Sequence, residues 1–234
     1  MDQETNSPLI RAISTVQPHV VIEELIEHHK DINATERVGD DESTTPLLVA
    51  IKYNRKVIPL LMKYPQLDVN RVDASGETPL IKAMYKRNRR LALEAVELLL
   101  ANPKIDVNKA NSIGETALMD AAFLGLDLLP FLAREEIEVN AQDDEGYTAL
   151  HHAVFEKHHV AIKQLLGDIR TDPSLKNKIG KSAVDEAKKI NPRLVLLFQS
   201  EILVLAPSRA VSRLVGPNLI TEIMDPLARL LYNI

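Results

Sequence analysis

The sequence predicts an all-α repeat protein: a solenoid whose unit is a hairpin-like finger followed by two short antiparallel helices, with a helical C-terminal extension. Three observations predict it. A polar, glycine-containing phrase recurs, as DVNRVDASGETPLIKAM from Asp68, DVNKANSIGETALMDAA from Asp106 and EVNAQDDEGYTALHHAV from Glu138. Hydroxyl residues able to cap a helix recur with it, at Ser7, Thr45, Thr78, Thr116, Thr148 and Ser182, spaced 38, 33, 38, 32 and 34 residues apart. A period of about 33 residues with local insertions marks stacked supersecondary units. Aromatic residues are only 4% and Trp is absent, so the core has to be built from Leu, Ile, Val and Ala.

The finger comes first in each unit. Gly76, Gly114, Gly146 and Gly180 each stand two residues before a cap, where they can supply a positive φ that a side chain resists. Asp40, Asp73, Asn111, Asp143 and Asn177 stand five residues before it, as residues that fold back on their own backbone in turns. Eight residues before it come Asn70, Asn108, Asn140 and, degenerately, Ser174. These are expected to tie the end of one repeat to the next finger.

The helices follow. Each cap can satisfy orphan N–H groups of a first turn, and three of the six add Pro at the first helical position. In the fifth unit Leu150, Ala153 and Val154 mark an inner helix, and Ile162, Leu165 and Leu166 an outer one. Helices of about eight to ten residues do not stand alone in water. Stacking buries their faces jointly, so stability becomes a sum of unit and interface terms.

The expected organisation is a degenerate unit over 1–33 and a unit over 34–70 with a finger insertion, ATERVGDDES. A unit over 71–108 follows, extended between its helices by YKRNRRLALEA, then units over 109–140 and 141–174, and a degenerate unit over 175–200. Residues 201–234 form the extension. Leu219, Ile220, Ile223, Met224, Leu227, Leu230 and Leu231 recur there at helical spacing, and Pro226 should kink or split that helix. Two readings stand for it: a cap over the last unit, or a docking helix for a second protein.

Composition excludes several functions. The chain has no Cys, hence no disulfide framework, thiolate nucleophile or Cys-ligated zinc, which fits a reducing compartment. The N-terminus lacks the apolar stretch of a secretory signal, and no apolar run approaches the roughly 20 residues of a membrane span. With a net charge of −5, nucleic acid is not an expected partner. No nucleophile elbow or phosphate loop is present, so no catalytic residue and no cofactor is expected. His151, His152, His158 and His159 tempt a metal reading, but about seven residues of helix put roughly 10 Å between the two pairs, too far for one ion. No metal site is expected, and His151 reads as a hydrogen-bonder at the junction of finger and helix.

The stretch DEGYTALHHAVFEKHHVAIKQLL resembles an ankyrin repeat, with the family's finger, T-P-L-H-x-A-A helix start and Leu-Leu end. The resemblance covers residues from about 5 to 200 and is most specific in the middle four units. It departs from the family pattern where Leu48, Ile81 and Met119 replace the family His that His151 keeps. The resemblance implies a non-catalytic protein-binding module whose partner lies on finger tips and inner helices; the protein is expected to be monomeric and cytoplasmic. Carried over by register, the surface is Lys52, Tyr53, Lys82, Tyr85, Lys86, Asp120, Phe123, Leu124, His152, Phe155 and Glu156. Phe123 and Phe155 could instead point between helices as core. The resemblance further implies that Asn108 and Asn140 are candidates for β-hydroxylation, since Leu100 and Leu132 precede them by eight residues. Basic residues gather around the second and third units (Lys52, Arg55, Lys56, Lys82, Lys86, Arg87, Arg89, Arg90). Acidic ones (Glu135, Glu136, Glu138, Asp143, Asp144, Glu145) gather around the fourth and fifth, a polarity that can steer a partner. The alternative in a different class is an adaptor, or an effector delivered into a host cytosol, that holds one protein on the array and recruits a second, such as a ubiquitin-ligase subunit, through its C-terminal helices.

Overall fold

A computed structural model describes residues 7–28, 31–38, 41–85 and 89–198. Asp40, Lys86 and Arg87 lie outside the described residues. So does the whole of 201–234, and with it the expected apolar stripe. The chain divides into two compact units, residues 1–112 and 113–234.

The first unit holds α1 (Pro8–Ser14), α2 (His19–His28), β1 (Glu36–Val38), β2 (Asp41–Thr44), α3 (Pro46–Tyr53), α4 (Ile58–Leu61), α5 (Pro79–Met84) and α6 (Arg89–Leu100). The first helices of successive repeats pack side by side, α1 on α3 and α3 on α5, with α2 and α6 against their own partners α1 and α5. The second unit holds α7 (Ala117–Phe123), α8 (Leu129–Leu132), α9 (Ala149–Phe155), α10 (His159–Gly167) and α11 (Ala183–Ile190). Here α9 packs between α7 and α11 and carries α10.

Each first helix begins at a cap the spacing predicts. Ser7, Thr45, Thr78, Thr148 and Ser182 accept from the N–H three residues on. Ser182 and Asp185 form a reciprocal box, since the Ser182 N–H also donates to the Asp185 carboxylate at 3.1 Å. Thr116 differs: its N–H points at the Met119 sulfur, 3.4 Å away. The hydroxyls from Thr45 onward are buried, so each hydrogen bond satisfies a group that water does not reach.

The glycines before the caps take φ between +76° and +79° at Gly76, Gly114, Gly146 and Gly180. Asp73 Oδ1 accepts from the N–H groups of Ser75 and Glu77, Asp143 Oδ1 from Glu145 and Tyr147, and Asn177 Oδ1 from Lys181. The second finger, with its insertion, closes as a true antiparallel pair of β1 and β2, with Glu36 opposite Thr44.

The asparagines do more than tie a repeat to its own following finger. Asn70 donates from Nδ2 to the Lys104 carbonyl at 2.8 Å and accepts at Oδ1 from the Asp106 N–H at 2.8 Å. Asn140 does the same with Arg170 and Asp172, and Asn33 with Gln66 and Asp68. An amide has one donor end and one acceptor end, and the loop of the next repeat offers a carbonyl and an N–H two residues apart. The Asn therefore clamps like loop to like loop across one period.

Of the second helices, α2 and α10 keep the expected eight to ten residues, with 10 and 9, and three depart from it. α6 has 12, because the insertion in the third repeat extends it. α4 and α8 have 4 each. In both, a proline (Pro59, Pro130) sits in the first turn, where its ring fits, and Lys63 or Arg134 already lies beyond the turn that ends the helix. The core lies between paired helices, with Leu47, Leu48, Ile51, Ile58 and Leu61 buried in the first unit and Phe131, Leu150, Ile162, Leu165 and Phe198 in the second. Each such side chain contributes about 1.5–3 kcal/mol relative to exposure.

Candidate partner-binding surface

Along each first helix the apolar stripe turns inward and leaves the last turn at the surface. At that turn stand Tyr53, Tyr85, Phe123 and Phe155, seven or eight residues after their caps. They are 43%, 51%, 40% and 62% exposed. The other two phenylalanines, Phe131 and Phe198, are buried. Of the two readings of Phe123 and Phe155, the structure supports the exposed one.

In the first unit the Lys52 ammonium lies 5.2 Å from the Tyr53 ring centroid, a cation–π arrangement that holds the ring at the surface. Lys82 is half-buried and bonded to Asp73 and to Glu77, the latter at 3.0 Å. These bonds offset the burial that disfavours its charge and hold its pKa above the usual lysine value. Arg55 pairs with Glu94 at 3.0 Å. The expected basic cluster is thus partly neutralised within the unit.

In the second unit Leu124 is half-buried and Glu156 exposed, each as the residue that ends its helix. His152 is half-buried, 3.0 Å from Asp143 Oδ2, with Phe123 edge-on at 6.3 Å and Tyr147 at 6.0 Å. Asp120 departs from the expected column. It is only 4% exposed, because a carboxylate on one methylene cannot reach past its neighbours as the longer Lys82 does, so it is withdrawn from the surface.

His151 plays the part read for it. The ring is buried; Nδ1 accepts from the Thr148 N–H at 3.2 Å, and Nε2 lies 3.1 Å from the Lys181 carbonyl. A carbonyl can only accept, so Nε2 carries the hydrogen and the ring is the neutral tautomer. Burial pushes its pKa below the ordinary histidine value, against the Lys181 hydrogen bond. The ring thereby joins the fifth helix start to the sixth finger.

Residues 9–111 and 91–177 match the family model described as ankyrin repeats, 3 copies. The chain is an ankyrin-repeat protein. Ankyrin repeats are in general protein–protein interaction modules and typically non-catalytic. The finger, cap and two-helix unit found in each half of the chain is the architecture that membership requires. Among the described residues no helix is long and apolar enough to cross a membrane.

Two exposed residues of this ankyrin surface escaped the reading by column. Ile113 and Ile179 are 54% and 69% exposed, each three residues before a cap and hence on a finger. Their signal was present, a large apolar residue beside a turn glycine, where Ser75 and Glu145 stand in the sister fingers.

Proposed function

We propose that this ankyrin-repeat protein is a non-catalytic recognition module that takes a protein partner on the finger and inner-helix face. Tyr53 and Tyr85 serve as anchors in the first unit, and Phe123 and Phe155 in the second. The observation that carries the reading is the shared register: four aromatics end four first helices and all four are exposed, while apolar residues earlier in those helices are buried. Aromatic anchors next to charge are what binding hot spots favour. Lys52, Lys82, Leu124, His152 and Glu156 form their surroundings, and Lys86 belongs to the same column by sequence. Ile113 and Ile179 extend the face along the fingers. The partner is a protein rather than nucleic acid: the basic residues Arg55 and Lys82 are already paired with carboxylates. We take the working state as a monomer in the cytosol, in keeping with a chain free of Cys. Asn108 and Asn140 stay candidates for hydroxylation. The Asn140 amide is held at both ends, so an oxygenase would act on a locally opened loop.

The test is photo-crosslinking from single positions in cell extract. A crosslinker replacing Phe123 or Phe155, both in the second unit, should capture the same protein. One replacing Val160, which is 65% exposed on the outer helix α10, should not. Equal capture from both faces would sink the assignment. Repeating the experiment without residues 201–234 separates the adaptor reading: a second protein lost with that segment while the first remains would favour it.

A further inference from the structure

One corner of the second unit gathers three potential ligands that the histidine spacing alone does not reveal. Glu115 directly precedes the cap Thr116, Asp143 opens the following finger, and His152 lies on α9; one ligand atom from each lies within 4.8 Å of the other two. We propose that Glu115, Asp143 and His152 form a three-ligand site for a zinc-class divalent cation that ties the fourth finger to the fifth.

Two of the three donors, Asp143 and His152, are preorganised. Asp143 Oδ1 accepts from the N–H groups of Glu145 and Tyr147 at 2.9 and 2.8 Å, which leaves Oδ2 facing His152 Nε2 at 3.0 Å. Outer contacts of this kind orient metal ligands. Phe123 and Tyr147 pack against the imidazole. The two fingers are already joined, since the Asp144 N–H donates to the Ile113 carbonyl at 3.1 Å.

Distance and donor type select the ion. Zinc holds N and O ligands at about 2.0–2.2 Å, so ligand atoms around it stand roughly 3–4 Å apart. The His152–Asp143 pair meets that as it stands, and the flexible, half-buried Glu115 stem needs only a small adjustment. Magnesium and calcium favour all-oxygen shells, whereas an imidazole with two carboxylates suits zinc, cobalt or manganese. On binding, the ion takes the Nε2 lone pair. The ring's remaining hydrogen resides on Nδ1, and any second proton leaves to solvent.

The third repeat supplies an internal comparison that points independently to a cation. Asp73 and Lys82 occupy the same two positions, five before and four after the cap, and the Lys82 ammonium lies between the Asp73 and Glu77 carboxylates. A positive charge between two carboxylates is therefore built into that corner. In the fifth repeat an imidazole replaces the ammonium, and the second carboxylate, Glu115, comes from the neighbouring repeat. An imidazole lone pair can take a metal ion where an ammonium cannot.

The full chain, stripped with EDTA, should be titrated with Zn2+ against a chromophoric chelator and with Co2+ for its visible absorption. One equivalent should bind, with a rise in melting temperature. Glu115→Gln and His152→Gln should each weaken binding at least about tenfold, whereas His159→Gln should not. If His152→Gln fails to fold by circular dichroism, the half-buried Glu115→Gln decides the matter. Zn2+ binding unchanged in both variants, no saturable binding, or tighter binding of Ca2+ than of Zn2+ would overturn the site.

Discussion

Gly114 sits at φ +79°, and a Cβ there would stand 2.8 Å from the Asp144 nitrogen. Both the dihedral and the neighbouring finger exclude a side chain, so Gly114→Val should destabilise by about 2 kcal/mol or more. An unchanged urea midpoint would refute the finger geometry. Val16 is the opposite case: a β-branched residue at φ 57°, 59% exposed, with the N–H of Gln17 closing back on Ala12. Val16→Gly removes that strain and loses little burial, so it should raise stability by up to about 1 kcal/mol. His151 adds a pH dependence. Its folded pKa lies below the ordinary 6.5 because burial favours the neutral ring, so the unfolded chain takes the proton first as pH falls. Stability from this residue is full above about pH 6.5 and declines below it, with a slope of up to about 1.4 kcal/mol per pH unit until the folded ring titrates. Urea unfolding between pH 7 and 5.5 should show a steeper loss for wild type than for His151→Gln. The structural role of His151 was legible from Thr148 three residues before it. Its second partner, the Lys181 carbonyl, was not, because that contact spans 30 residues.

At the scale of elements, the first helices were legible and the second ones only in part: Ile162, Leu165 and Leu166 marked α10, but the lengths of α4, α6 and α8 were not foreseen. A capping hydroxyl followed by Pro or Ala fixes a start to the residue. Nothing so local marks the second helix, and α4 and α8 shrink to single turns. One turn leaves carbonyls without helical partners, and for α8 the next repeat supplies them. Arg170 donates from Nη2 to the Leu132 carbonyl at 2.6 Å and from Nη1 to that of Arg134 at 3.0 Å, while Asp168 holds its guanidinium. The Arg170 bond in turn keeps the Asp168 carboxyl below the usual carboxylate range. Arg170→Ala should cost about 1–3 kcal/mol and speed amide exchange of Ala133 and Arg134, whose N–H groups close the α8 turn. Exchange unchanged there would mean that α8 does not depend on this side chain. The same cross-repeat logic explains why the Asn clamps were only half legible: the period located Asn70 and Asn140, but the partners lie one period away.

For the whole molecule, the repeat was legible because six capping hydroxyls and four turn glycines keep register while the residues between them vary. The second finger lost that register to its insertion, which is why Asn33, the clamp before it, stood outside the expected column. The exposed face was legible in part. Columns picked out the exposed Tyr53, Tyr85, Phe123 and Phe155, took in Asp120, which is buried, and passed over the exposed Ile113 and Ile179. The group of Glu115, Asp143 and His152 could not be found by comparing like positions, because it joins three different positions from two adjacent repeats. The role proposed for the four exposed aromatics is binding and not folding. Its most direct test is the variant with Tyr53, Tyr85, Phe123 and Phe155 all replaced by Ala. Thermal unfolding and titration calorimetry against the crosslinked partner would be measured on the same samples. A melting temperature within a few degrees of wild type is expected, together with an affinity loss of about 2 kcal/mol or more, roughly thirtyfold. A melting temperature that collapses would make these residues core, and an unaltered affinity would place the partner on another face.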